Sequence, residues 1–142
     1  MGGVFAIAPW VSFRTDGITW PSMSANAYKD IIVPEELSKW SAAYLNGRYG
    51  DSHSEPLLAP EEWWAVFRAK KFLITAGEDE ILRSPIEAFA EKVRAGAKAG
   101  GKEEDVTFVV GEGESHVPMV FGDDPHTQQG DALEMWLIEC LS

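Results

Sequence analysis

Phe72-Leu73-Ile74-Thr75-Ala76-Gly77-Glu78-Asp79-Glu80 is an apolar run that stops at a glycine followed by three acids. A short apolar run of this kind, bounded by turn residues, reads as a fully buried strand. A second run, Val106-Thr107-Phe108-Val109-Val110, leads in the same way to Gly113-Glu114-Ser115-His116. Each run delivers a residue of catalytic type just past its C-terminal end, first an acid and then a histidine. Ligand sites in open α/β sheets sit at those ends. Neighbouring strands lie ~4.8 Å apart, so two adjacent loops are able to bring Asp79 to His116.

Outward from these two runs the chain alternates. Val4-Phe5-Ala6-Ile7-Ala8, closed by Pro9, is a third buried-type strand. Residues 12–34 are loop-like, and Pro34 to Leu45 reads as a helix. Pro34 suits its first turn, Glu35 and Glu36 suit its dipole, and Leu37, Trp40, Ser41 and Tyr44 share one face. Asn46-Gly47 stops it. After an irregular stretch over 50–60, Pro60 opens a short helix. Ser84-Pro85-Ile86-Glu87 is a capping box, and Ile86, Phe89, Ala90, Val93 and Ala97 line one helical face. A loop with Gly122, Asp123, Asp124 and Pro125 leads to a last helix. Asp131 is its expected cap, and Leu133, Trp136, Leu137, Cys140 and Leu141 are its expected buried stripe. Strands separated by helices predict an α/β fold with a parallel sheet, although three strands are few for one.

The 142 residues suffice for one domain, and 45% hydrophobic content supports a sizeable core. With a net charge of −11, the sequence shows no Lys and Arg cluster suited to a nucleic-acid groove, and an anionic membrane surface is disfavoured on the same ground. No stretch is long and apolar enough to span a bilayer, and the N-terminus lacks the basic region of a signal peptide. The single cysteine, Cys140, forbids an intramolecular disulfide and agrees with a reducing, cytoplasmic setting.

An acid that accepts a hydrogen bond from one imidazole nitrogen leaves the other nitrogen to act as a base. Asp79 with His116 is the leading pair, with Glu78 and Glu80 as rival acids on the same loop. Spacing alone leaves both open to an ordinary loop role. His53 and His126 lie in polar loops without metal-ligand spacing and read as exposed histidines. Cys140 reads as an inert buried thiol. Trp10, Trp63 and Trp64 read as core residues before pocket residues, and the acidic runs at 103–105 and 123–124 as solvated loops.

Thr75-Ala76-Gly77-Glu78-Asp79-Glu80-Ile81-Leu82-Arg83, the helix residues Ile86-Glu87-Ala88-Phe89, and Gly113-Glu114-Ser115-His116 together resemble the C-terminal half of the α/β-hydrolase fold-3 family, the esterases and lipases related to hormone-sensitive lipase. Ile7-Ala8-Pro9-Trp10-Val11 resembles the strand and loop after that family's nucleophile-bearing helix. Ala59-Pro60 with Trp63-Trp64 resembles the approach to its acid strand. The resemblance implies that Asp79 is the triad acid and His116 the triad base, with no metal or organic cofactor.

The family's Gly-x-Ser-x-Gly is absent from these residues. Gly50-Asp51-Ser52-His53-Ser54 lacks the last glycine and the strand-turn-helix setting, and Gly113-Glu114-Ser115-His116-Val117 ends in the wrong residue. On the family template the serine and the oxyanion loop lie upstream of Met1. The expectation is therefore a single partial α/β-hydrolase domain over 1–142, with three parallel strands, flanking helices and residues 12–60 as a cap-like insertion. Two functions follow. One is the C-terminal portion of a carboxylic-ester hydrolase, inactive alone, that takes a small ester when an N-terminal half completes it. The other is a non-catalytic association module. In either case the open Val4-Phe5-Ala6-Ile7-Ala8 edge is expected to pair, most simply in a homodimer.

Overall fold

The structure, a computed structural model, describes residues 2–102, 105–121 and 126–142. Three parallel strands, β1 (Val4–Ile7), β2 (Phe72–Gly77) and β3 (Val106–Gly111), lie in the order β1-β2-β3. The register pairs Phe5 with Leu73 and continues from Leu73 to Thr107, and Gly77 meets Gly111 at the C-terminal end. This is the expected α/β architecture.

Every residue of β2 is buried because helices cover both of its faces. Phe72, Ile74 and Ala76 point to one face. There they join Ile86, Phe89, Ala90, Val93 and Ala97 of α4 (Arg83–Ala99) in the main core. Leu73 and Thr75 point the other way, toward α6 (Gln128–Leu141). Thr75 Oγ1 donates to Gln129 Oε1 at 3.0 Å, so both buried polar groups are partnered. On the same face Phe5 meets the Trp136 ring edge-on at 5.8 Å.

The connections contain α1 (Ser22–Ala25), α2 (Pro34–Leu45), a 3₁₀ turn at Pro56–Leu58 and α3 (Glu61–Ala65). A further short helix, α5 (Pro118–Phe121), follows β3. α2 has its expected bounds and ends at Asn46 with φ of 46°, a left-handed cap. Of its expected face, only Leu37 and Ser41 are buried, while Trp40 and Tyr44 are exposed. α3 packs on α4 at Gly96, where a Cβ would strike the Trp64 side chain.

Two helix starts differ from the sequence expectation. α4 begins at Arg83, before the capping box, and Ser84 does not cap its own helix. Its N-terminus is covered by residues 22–30, which provide the caps. Ser22 Oγ accepts from Ser84 N at 2.9 Å and donates to Ile81 O at 2.6 Å, and Asp30 Oδ2 accepts from Ile81 N at 2.7 Å. Tertiary partners have displaced the local motif. α6 starts at Gln128, and Thr127 is its cap in place of Asp131, accepting from Gly130 N at 3.0 Å. Its buried residues are Gln129 and Trp136, of which only Trp136 was expected. Leu137 and Leu141 are exposed, and Cys140 is only half-buried. The acidic positions 103, 104, 123 and 124 and the loop positions 122 and 125 lie outside the described residues.

Ile74 is fully buried at the centre of β2, and Ile18 is 95% exposed. Ile74→Ala is expected to cost about 2–5 kcal/mol in urea unfolding. Ile18→Ala is expected to stay within about 0.5 kcal/mol.

Candidate active site

The two chemistry-bearing loops leave β2 and β3 side by side, where Gly77 pairs with Gly111. Their backbones are laced together. Glu78 N donates to Gly111 O at 2.8 Å, and Asp79 N donates to Glu114 O at 2.9 Å. Gly113, at φ of 69°, donates its N–H to Glu78 Oε2 at 3.0 Å. A Cβ on Gly77 would collide with the carbonyl oxygens of Glu114 and Ser115, so only glycine permits the loops to approach this closely.

His116 Nδ1 lies 2.7 Å from Glu80 Oε1. Glu80 has no exposed surface, and its second oxygen accepts from Gly77 N at 2.9 Å. Asp79 was the expected partner of this ring. The structure instead places its Oδ1 against Lys29 Nζ at 2.6 Å, with the carboxylate partly exposed. The turn explains the exchange. Glu80 N bonds back to Gly77 O at 3.3 Å, which returns position 80 over the strand end. The longer Glu side chain then spans from Gly77 N to the imidazole, while Asp79 lies on the outer limb. The sequence signal was the Gly77-x-x-Glu80 spacing followed by the apolar pair Ile81-Leu82, both of which are buried.

Several further residues hold the pair, and none stands out in sequence because its partners are remote. Asn26 Nδ2 donates to both Glu78 O and Glu80 O, each at 2.9 Å, pinning the acid loop. Glu114 accepts from Gln128 N and, at 3.2 Å, from Gln129 N, so a carboxylate of the histidine loop caps α6. Gln129 Nε2 donates to Ser115 O at 3.4 Å. Val117, directly after His116, has φ of 43°, a strained conformation for a β-branched residue.

Burial works to lower the His116 pKa. The Glu80 hydrogen bond and charge, aided by the Asp30 charge, overcome it and leave the ring above its ordinary 6.5. A buried carboxylate on Nδ1 fixes the neutral ring as the Nδ1–H tautomer and favours the imidazolium that forms when Nε2 takes a proton. This is an acid–base dyad suited to activating a hydroxyl nucleophile.

The other candidates stand apart from it. Ser52 sits in a turn organised by Asp51, whose Oδ1 accepts from His53 N and Ser54 N, each at 2.9 Å. His53 is exposed, with its ring 5.3 Å from Trp63. His126 Nδ1 lies 3.7 Å from Asp131 on the surface. Among the described residues, no three or more His, Cys, Asp or Glu side chains are grouped to hold a metal. No helix among them is long and apolar enough to cross a membrane. An open cavity of about 400 Å³, lined in part by Met23, Ala27, Tyr28 and Val33, lies in the segment that supplies Asn26 and Lys29 to the acid loop.

A profile of the steryl acetyl hydrolase family matches residues 2–136. No curated protein matches. An esterase of the bacterial hormone-sensitive lipase family superposes with a TM-score of 0.69 at 23% identity, over 93% of this chain and 40% of its own. An esterase/lipase from an uncultured bacterium does so with a TM-score of 0.64 at 24% identity, over 97% of this chain and 43% of its own. Brefeldin A esterase, a bacterial homologue of human hormone-sensitive lipase, gives 0.68 at 25% identity, over 98% of this chain and 35% of its own. The chain thus spans about 40% of the length of such relatives. With the acid and histidine loops at the strand ends of an α/β-hydrolase sheet, the chain belongs to the steryl acetyl hydrolase family.

Proposed function

We propose that the chain carries the acid and base of a serine-type carboxylic-ester hydrolase, with Glu80 in the role that the family resemblance gave to Asp79. The observation that carries this is the 2.7 Å contact between His116 Nδ1 and a fully buried Glu80. Glu80 orients the ring and stabilises its charged form. His116 Nε2 takes the proton of a serine hydroxyl as the serine attacks the ester carbonyl, then returns it to the leaving alcohol. The 142 residues contain no Gly-x-Ser-x-Gly, so the reading draws the serine and oxyanion donors from polypeptide outside them. The matched family supports acetate esters of bulky apolar alcohols such as sterols as substrates. Exposed Ile18, Tyr28 and Ile31 suit an apolar alcohol, and they support residues 12–60 as a cap-like insertion within one partial domain over 1–142. A cytoplasmic setting and the absence of a cofactor belong to the same reading.

The ring titration tests the dyad in this chain. By NMR, His116 is expected to titrate above 6.5. Glu80→Gln removes the raising partner and leaves the burial, so the pKa is expected to fall below that value. Asp79→Asn is expected to move it far less. A raised folded pKa contributes stability that is fully present below pH 6.5 and is lost as pH rises through the folded value. The wild-type chain is thus expected to lose stability across that window, and Glu80→Gln to lose less. If Asp79→Asn collapses the shift and Glu80→Gln does not, the assignment fails. In the serine-containing enzyme, Glu80→Gln is expected to lower kcat by about 10³–10⁴-fold, and Asp79→Asn by less than about tenfold.

A second reading, association through β1, rests on a different observation. Among the described residues β1 has a strand on one side only, Phe5 is 49% exposed, and Ile138 and Leu141 of α6 are exposed. Two copies related by a two-fold axis would pair β1 antiparallel and cover these side chains. Light scattering at about 10 μM is expected to give twice the monomer mass, and Phe5→Lys to shift it to monomer. A monodisperse wild-type monomer rules out this mode.

A further inference from the structure

The loop that carries Glu80 is held more tightly from outside than from within. Its own turn bonds are long, with Glu80 N donating to Gly77 O and Arg83 N to Glu80 O, each at 3.3 Å. Asn26 Nδ2 reaches the carbonyl oxygens of Glu78 and Glu80 at 2.9 Å each. A primary amide has two N–H donors, and here each has a carbonyl acceptor. These carbonyls belong to the peptide groups before Asp79 and after Glu80, so one side chain fixes both ends of the pair. Asn26 is buried and is itself held in place. Its N–H donates to Ser22 O at 3.0 Å, and its carbonyl accepts from Lys29 N at 2.9 Å and Asp30 N at 3.1 Å.

We propose that Asn26 is a positioning residue that selects Glu80 over Asp79 as the acid facing His116. The proposal rests on the Glu80–His116 reading and adds what imposes it. Glu78, Asp79 and Glu80 stand in a row, and the rotation of the turn decides which of them faces inward. Asp79 is close enough to compete, since its N–H donates to Glu114 O at 2.9 Å, two residues before His116. Bonds of 3.3 Å lie beyond the usual range for N–H···O, so the turn's own bonds hold its rotation weakly. With the Asn26 amide in place, turning either peptide group strands a carbonyl oxygen without its donor, and the Glu80 bond lies in a buried setting where that loss is costly. Lys29 also draws Asp79 outward, but that pair is open to solvent, with the two side chains 54% and 28% exposed. Exposed ion pairs contribute little. Asn26, acting from a buried position through the backbone of the acid loop, is therefore the stronger constraint.

NMR titration of the His116 ring in paired variants of the whole chain tests it. With Asn26 present, Glu80→Gln is expected to lower the ring's pKa and Asp79→Asn to leave it nearly unchanged. In the Asn26→Ala chain, Glu80→Gln is expected to lower it by less than about half as much, and Asp79→Asn to lower it measurably. Asn26→Asp keeps the side chain's size while removing both donors, and it is expected to transfer the response in the same direction. The charge of Asp30, on the same segment, also acts on the ring. The reading is therefore the response to the two acid substitutions, not the ring's pKa in the Asn26 variant alone. A role in folding alone would lower the melting temperature of the Asn26 variants and leave each response at its wild-type size. Circular dichroism confirms that each variant is folded, and Asn26→Asp supplies the reading if Asn26→Ala does not fold. If either response keeps its wild-type size in the folded Asn26 variants, Asn26 does not select the acid, and the Glu80–His116 reading stands. If Asp79→Asn already collapses the titration with Asn26 present, that reading fails and the selection fails with it. A transfer of the response to Asp79 in Lys29→Met alone also overturns the proposal, since the ion pair would then make the choice.

Discussion

The candidate site depends on one buried carboxylate. Glu80 is wholly removed from water, and an ionised carboxylate in that position is tolerated only when it is partnered. One oxygen takes the Gly77 amide and the other takes His116, so the partners come from both loops. The rest of the C-terminal edge serves that arrangement. Gly77 permits the loops to meet, Asn26 ties down the carbonyls of Glu78 and Glu80, and Glu114 anchors the histidine loop to α6. Losing the histidine partner would leave a buried charge half-satisfied, so local stability and acid–base chemistry share one hydrogen bond.

Charged side chains gather at both ends of the sheet. At the C-terminal edge the charges of Glu80 and Asp30 act on the His116 imidazole, while Asp79 pairs with Lys29 and Glu78 lies 3.9 Å from Arg83. At the opposite end the cations collect beside exposed aromatics. Lys102 joins Arg68, Lys70 and Lys71, near neighbours in sequence, only once β2 and the end of α4 are placed.

The parts of the fold legible in sequence were those set by local pattern. The apolar runs at 72–76 and 106–110 marked two strands and their parallel order, and the 3.6-residue spacing from Ile86 to Ala97 marked the buried face of α4. His116 followed from its position past a strand. The choice among Glu78, Asp79 and Glu80 did not, because it turns on which limb of a tight turn faces inward. Ser22, Asp30 and Asn26 were illegible for a related reason. They act on residues more than fifty positions away, and they displaced the local capping box at Ser84. At α6 the cap is Thr127, four residues before the expected Asp131, and Gln129 is buried with Trp136 while Leu137 and Leu141 are exposed.

Val117 gives the histidine loop a thermal property as well as a shape. A β-branched residue with φ of 43° occupies a narrow well, since little left-handed space is open to it. Its strain, on the order of 1–3 kcal/mol, is sustained by the bonds that flank it. The backbone beside His116 is therefore confined to a smaller range of angles than a glycine there would allow. The histidine loop thus gives up on folding part of the conformational entropy that a glycine at position 117 would retain.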